Sequence, residues 1–160
     1  MRNYKLIFDK QELRLRPNTV ALVAVVSMML LSLVIPWFDL SINPPIYVGL
    51  LIAILGLGIV QSAKTSFQKA HTSDDPLRPR SASTLITAGP YRFSRNPMYV
   101  GMIFILLGWT IFLMNFLAFV LLIAYIFYIN RFQIIPEERA LSAIFGPKYE
   151  SYHAKVHKWL

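Results

Sequence analysis

Leu85-Ile86-Thr87-Ala88-Gly89-Pro90-Tyr91-Arg92-Phe93-Ser94-Arg95-Asn96-Pro97-Met98-Tyr99-Val100-Gly101 is the stretch whose reading decides the fold. It is polar, basic and aromatic, and it separates two apolar halves of the chain. Asn96-Pro97 within it reads as the start of a helix. An Asn side-chain oxygen can accept a backbone N–H of the first turn. Pro suits the first helical position, where its missing N–H costs nothing. The helix so begun runs straight into the apolar segment from Met98 onward. Its free N–H groups and positive dipole end favour an anionic or polar group beside the loop. Taken alone, the same signal fits a plain loop followed by a well-capped helix.

Outward from this stretch the chain is largely without charge. Thr19 to Ile35, Leu40 to Gln61 and Tyr99 to Asn130 contain no charged residue. An apolar content of 56% is above that of ordinary soluble domains. A membrane-spanning helix takes about 20 apolar residues. The first two runs each fit one span. The third fits two short spans if it turns near Met114-Asn115. The sequence therefore predicts an all-α integral membrane chain, one domain over residues 1–160, with four transmembrane helices at about 19–37, 45–63, 97–113 and 116–134.

The basic residues assign the sides. Of the 16 Lys and Arg, five precede the first span, six lie between the second and third, and five follow or close the fourth. The loops around Asp39 and Asn115 carry none. By the positive-inside rule both termini and the central loop are cytoplasmic. The net charge of +8 is then explained by topology and anionic lipid headgroups, not by nucleic acid. The absence of Cys excludes disulfides, thiolate catalysis and Cys-based metal sites. The first span follows a charged lead and ends in Ile35-Pro36-Trp37-Phe38, so it is expected to stay as an anchor and not to be cleaved.

Residues 1–18 mix apolar and basic groups, and read either as a helix on the membrane surface or as a solvated positive lead. Trp37 marks an outer interface, and Asn43-Pro44-Pro45 an outer turn. Gly49 and Gly56, like Gly101 and Gly108, are seven apart, so each pair lies on one helix face. Small residues let membrane helices approach closely, and the two pairs are expected to be packing faces, against each other. A ligand contact at Gly56-x-Gly58 is the weaker reading. Residues 64–95 form a long polar loop, with Asp74-Asp75-Pro76 and Arg78-Pro79-Arg80 breaking regular structure. Asn130, Gln133 and Glu137 can share one helix face and line a polar pocket, with Glu138 turned about 100° away. Pro136 kinks or restarts that helix. Phe145-Gly146-Pro147 is a stop and a new start. Tyr149, Tyr152, Val156 and Trp159 then recur at helical steps, as an amphipathic helix for the membrane surface or for closing a pocket. His71 is alone, and His153 and His157 at i, i+4 lack a third ligand, so no metal is expected.

These residues together resemble the isoprenylcysteine carboxyl methyltransferase and phospholipid methyltransferase superfamily of integral membrane enzymes. The likeness covers about residues 50–159. It is carried by Leu85–Gly101 and by Glu137-Glu138 with Leu141, Phe145-Gly146, Tyr149, Tyr152, Val156 and Trp159. Asn96 stands where prenylcysteine enzymes typically have His, and Asn-Pro-Met-Tyr is similar to the phospholipid N-methyltransferases and bacterial relatives. The resemblance implies S-adenosylmethionine as cofactor, held by Asn96, Pro97, Tyr99, Glu137 and Glu138. It implies a lipophilic, lipid or lipidated acceptor that is membrane-embedded. Arg131 is the candidate for orienting an anionic headgroup or acceptor carboxylate. The alternatives are an NADPH-dependent, steroid-reductase-like membrane enzyme and a non-catalytic membrane interaction protein.

Overall fold

The computed structural model describes residues 15–36, 40, 46–72 and 83–160. The readings made for the lead 1–14, Trp37, Asp39, Asn43-Pro44-Pro45 and the breaks within 73–82 lie outside the described residues. The architecture is all-helical, with no strand among the described residues. The helices are α1 (Pro17–Val34), α2 (Ile46–Lys69), α3 (Pro97–Leu113), α4 (Phe116–Ile129), α5 (Ile135–Phe145) and α6 (Pro147–Lys155). A 3₁₀ turn at Gly89–Arg92 precedes α3, and a π-helical turn at Asn130–Ile134 joins α4 to α5. Three helical stretches are long and apolar enough to cross a membrane: α1, α2 and the run Phe116–Phe145. At 17 residues, α3 is a shorter apolar helix.

The expected helix starts and stops are largely observed, with physical corrections. Asn96 does precede α3 and Pro97 opens it, but Asn96 makes no side-chain cap. Its amide is engaged elsewhere, on the Lys158 carbonyl. The second helix runs six residues past its predicted end, to Lys69, because Lys64 to Lys69 contains no Gly or Pro. It closes with His71 at φ +48. The polar connection is correspondingly shorter than residues 64–95. The hairpin between α3 and α4 turns where expected. Met114 adopts a left-handed conformation, and Asn115 caps α4 by accepting the Leu117 N–H at 2.9 Å.

The two Gly pairs meet each other, as their spacing suggested. A Cβ built on Gly49 would lie 2.7 Å from the Gly108 carbonyl oxygen, and one on Gly56 2.5 Å from that of Gly101. Real Cβ atoms do not approach backbone that closely, so these glycines set the separation of α2 and α3. The order, 49 to 56 against 108 to 101, makes the pair antiparallel. Gly58 has open space around it, so the close-packing role does not extend to it. α1 packs on α4 and α3, closing a core of Met28, Tyr99, Met102, Leu106, Leu122, Tyr125 and Ile129. The outward faces of α1 and α2 expose Leu22, Val23, Leu33, Leu50, Leu55 and Leu57. Such continuous apolar faces are stable against lipid, not water.

Two ends of the bundle are thereby defined. At one, the Leu40 N–H donates to the Met114 carbonyl at 2.7 Å and the Asn115 amide to the Ile35 carbonyl at 3.3 Å. The start of α1, the end of α2, the start of α3, α5 and α6 meet around the cavity at the opposite end.

Candidate functional site

A cavity of about 390 Å³ occupies that end, a size typical of small-molecule sites. Its lining includes Asn96, Tyr99, Glu137 and Glu138, four of the residues singled out from sequence. Pro97 is buried beside it as the first residue of α3 and is not part of the lining. Arg131 is exposed and is also absent from the lining. Its guanidinium lies 5.4 Å from the ring of Phe132.

The π turn governs which acidic residue points where. Pro136 has no N–H to donate and its ring crowds the preceding turn, so an ordinary α-helix is disfavoured there. The chain absorbs this with an i to i−5 bond from the Ile135 N–H to the Asn130 carbonyl. That changes the angular step between residues 130 and 137. Asn130, Gln133 and Glu137 therefore do not share one pocket face, contrary to the α-helical expectation. Asn130 accepts a hydrogen bond from Lys158 Nζ at 3.3 Å, Gln133 is fully buried and donates to the Leu15 carbonyl at 2.7 Å, and Glu137 alone of the three lines the cavity.

The two adjacent glutamates have different partners. The Tyr99 hydroxyl donates to Glu137 Oε2 at 2.9 Å. The other oxygen of Glu137 has no protein partner among the described residues. Phe116 to Ile134 already extends about 28 Å, enough to cross a bilayer, so Glu137 falls beyond that segment. Burial pushes its carboxyl up to about 7, the Tyr99 hydrogen bond opposes the shift, and the neighbouring Glu138 charge adds to it. Glu138 is instead an ion-pair centre. Arg95 donates to its Oε1 from Nε at 3.0 Å and from Nη2 at 2.7 Å, and Lys158 Nζ lies 3.7 Å from its Oε2.

Arg95 is the residue that sequence reasoning missed. Its Nη1 donates to the carbonyls of His153 and Val156, at 3.1 and 2.6 Å, and its backbone N–H to that of His157. With Asn96 and Ser94 holding the Lys158 carbonyl, the loop before α3 binds the last residues of the chain as a strap. α6 ends at Lys155, so Val156 and Trp159 are not on that helix, and His153 and His157 lose the i, i+4 relation. Among the described residues no group of three metal-ligating side chains occurs. Tyr149 and Tyr152 are buried and line the cavity. The Tyr152 hydroxyl donates to the Tyr91 carbonyl at 2.7 Å, and burial pushes that hydroxyl up to about 12, against an opposing pull from Arg95. Tyr91 packs edge-on against Phe67 of α2, ring centroids 5.5 Å apart. The only forewarning of Arg95 was its place beside Asn96; its partners lie 43 and more residues away.

Residues 44–148 match the phospholipid methyltransferase family. An uncharacterized protein of Haemophilus influenzae is 46% identical over 63 residues, 39% of this chain and all of that one. A probable protein-S-isoprenylcysteine O-methyltransferase of Oryza sativa subsp. indica is 35% identical over 117 residues, 71% of this chain and 60% of that one. A protein-S-isoprenylcysteine O-methyltransferase of Schizosaccharomyces pombe is 39% identical over 74 residues, 45% of this chain and 30% of that one. The chain thus spans less than two thirds of the two relatives named as methyltransferases. No solved structure matches it significantly.

Proposed function

The chain belongs to the phospholipid methyltransferase family, and on that premise we propose that it transfers a methyl group from S-adenosylmethionine to a lipophilic acceptor in the membrane. The observation that carries the reading is the Tyr99–Glu137 pair, 2.9 Å apart inside a cavity at the end of an apolar bundle. When bound, S-adenosylmethionine supplies an electrophilic methyl on a sulfonium, with an amino-acid end and a ribose diol.

The residues present fit that group. Glu137 keeps one carboxylate oxygen available for a ribose hydroxyl or an ammonium, a charge-assisted hydrogen bond. Tyr99 fixes the other oxygen and so orients the carboxylate. Pro97 opens α3 without a side-chain cap, which leaves the first N–H groups of the helix for a carboxylate. Tyr91, Tyr149 and Tyr152 line the cavity with aromatic surface, suited to a cation or a purine. Asn96 and Glu138 act differently. Through the Lys158 carbonyl and Arg95 they hold the strap and the loop, and so position the binding residues. Methyl transfer is an in-line displacement, so alignment within the cavity provides most of the catalysis.

The same reading takes α3 as a fourth crossing, about 25 Å long, packed between α2 and α4. Arg16, Lys64 and Arg95 all line the cavity end, while the Met114–Asn115 hairpin lies at the other. This supports cytoplasmic termini and a cytoplasmic cavity. An acceptor reaches that boundary from the inner leaflet, and the cofactor reaches it from water.

Thermal unfolding of the detergent-purified protein with S-adenosylhomocysteine or NADPH tests the reading. Stabilisation by S-adenosylhomocysteine alone is expected. Stabilisation by NADPH instead would assign a reductase, and by neither a non-catalytic protein.

A further inference from the structure

Two cationic side chains of the cavity take no part in these contacts. The charged residues lining it are Arg16, Lys64, Arg95, Glu137 and Glu138. Arg95 and Glu138 answer each other at 2.7 Å. Glu137 is the carboxylate offered to the cofactor's ammonium or ribose hydroxyls. Arg16, at the start of α1, and Lys64, near the end of α2, have no side-chain partner among the described residues. The single carboxylate of S-adenosylmethionine is assigned to the start of α3 and its other two charges are positive, so it does not neutralise them.

Arg16 is held in place by a buried device. Its carbonyl accepts the N–H groups of Thr19 and Val20, at 2.9 and 3.2 Å, and so begins α1. The preceding carbonyl, of Leu15, is captured by the Gln133 amide at 2.7 Å. Gln133 is fully buried, and its own Oε1 has no hydrogen-bond partner. A buried, half-satisfied amide is destabilising, and fully apolar side chains would serve packing better. Its one bond fixes the backbone beside Arg16. Arg16 lies outside the residues 44–148 that match the family, whereas Lys64 lies within them.

We propose that Arg16 and Lys64 form a cationic rim that binds the anionic group, a phosphate or carboxylate, of the methyl acceptor, and that α1 thereby selects the acceptor. The proposal rests on the methyl-transfer reading for calling that ligand the acceptor; the anion site itself does not.

The test is a titration with dodecyl phosphate of the full chain in neutral maltoside micelles, followed by thermal shift, beside a separate titration with S-adenosylhomocysteine. Each of Arg16→Gln and Lys64→Gln should weaken dodecyl phosphate binding about tenfold, the scale of one charge-assisted contact. Arg16→Lys should restore most of it, and S-adenosylhomocysteine affinity should change less than about twofold in all three. Inorganic phosphate that fails to displace dodecyl phosphate assigns the rim to an amphiphile; equal displacement assigns it to a soluble anion. Unchanged dodecyl phosphate binding in the double variant overturns the proposal. If the wild type binds dodecyl phosphate through these residues but not S-adenosylhomocysteine, the methyl-transfer reading falls and the anion site stands.

Discussion

Replacing each glutamate of the adjacent pair with glutamine should give opposite phenotypes. In Glu138→Gln, Arg95 loses the carboxylate that it contacts through Nε and Nη2. The side chains of this pair are only 8% and 16% exposed, so solvent does not replace the lost charge. Breaking such a pair costs about 3–5 kcal/mol. The carbonyls of His153 and Val156 still engage Arg95, which favours the lower end, about 3 kcal/mol. For a chain of this size that lowers Tm by roughly 6–12 °C. In Glu137→Gln, the Tyr99 hydroxyl still has an oxygen to donate to, and a carboxyl that burial disfavours has been removed. Stability at pH 8 should be unchanged or raised. Binding should suffer instead, since a charge-assisted hydrogen bond is worth about 1.5–3 kcal/mol, roughly ten- to hundredfold in affinity. Calorimetry with S-adenosylhomocysteine and thermal unfolding of both variants measure the two effects. Wild-type affinity in Glu137→Gln would refute the assignment of Glu137, and equal loss of stability in both would refute the division between them.

With the Glu137 carboxyl raised to about 7, the folded protein holds a proton there that the unfolded chain has released. That contribution to stability is present below about pH 4.5 and is lost as pH rises through 7. Affinity for a ligand that donates to the carboxylate should rise over the same upper range, and both dependences should vanish in Glu137→Gln, as pH-resolved melting and calorimetry would show. Tyr99→Phe removes the bond that holds this carboxyl down, so the midpoint of the binding profile should move above pH 7, with affinity reduced by about fivefold. Gly56→Ala puts a methyl against the Gly101 carbonyl and the Ile105 backbone, and should cost about 1–3 kcal/mol of stability in detergent melting; Gly58→Ala, facing open space, is the neutral control. Reporter fusions after Leu160 and Asn115 should report opposite sides of the membrane, the former cytoplasmic.

The helical layout was legible because it is local. Charge-free runs mark the apolar helices, Asn96-Pro97 and Gly146-Pro147 mark starts, and Met114-Asn115 marks the hairpin. The seven-residue Gly spacing revealed the α2–α3 contact, since only close approach of two helices gives that pattern a use. Legibility failed where a contact joins distant residues or departs from the α-helical step. The π turn ahead of Pro136 separated Asn130 and Gln133 from Glu137, and nothing in the spacing distinguishes a π turn from a kink. Asn96 does precede α3, but in place of the expected cap its side-chain amide donates to the Lys158 carbonyl, 62 residues away in sequence. The roles of Arg95 and Arg16 depend on which elements close around the cavity, which sequence periodicity does not encode.

Methyl transfer to a membrane acceptor is measured by a partition assay. Purified protein in lipid nanodiscs is incubated with methyl-labelled S-adenosylmethionine and a total lipid extract of the producing cells, then extracted into organic solvent. Label is expected in the organic phase with the wild type, and at most about a tenth of it with Glu137→Gln at subsaturating cofactor. Label confined to the aqueous phase for the wild type, from a preparation that binds S-adenosylhomocysteine, would contradict it.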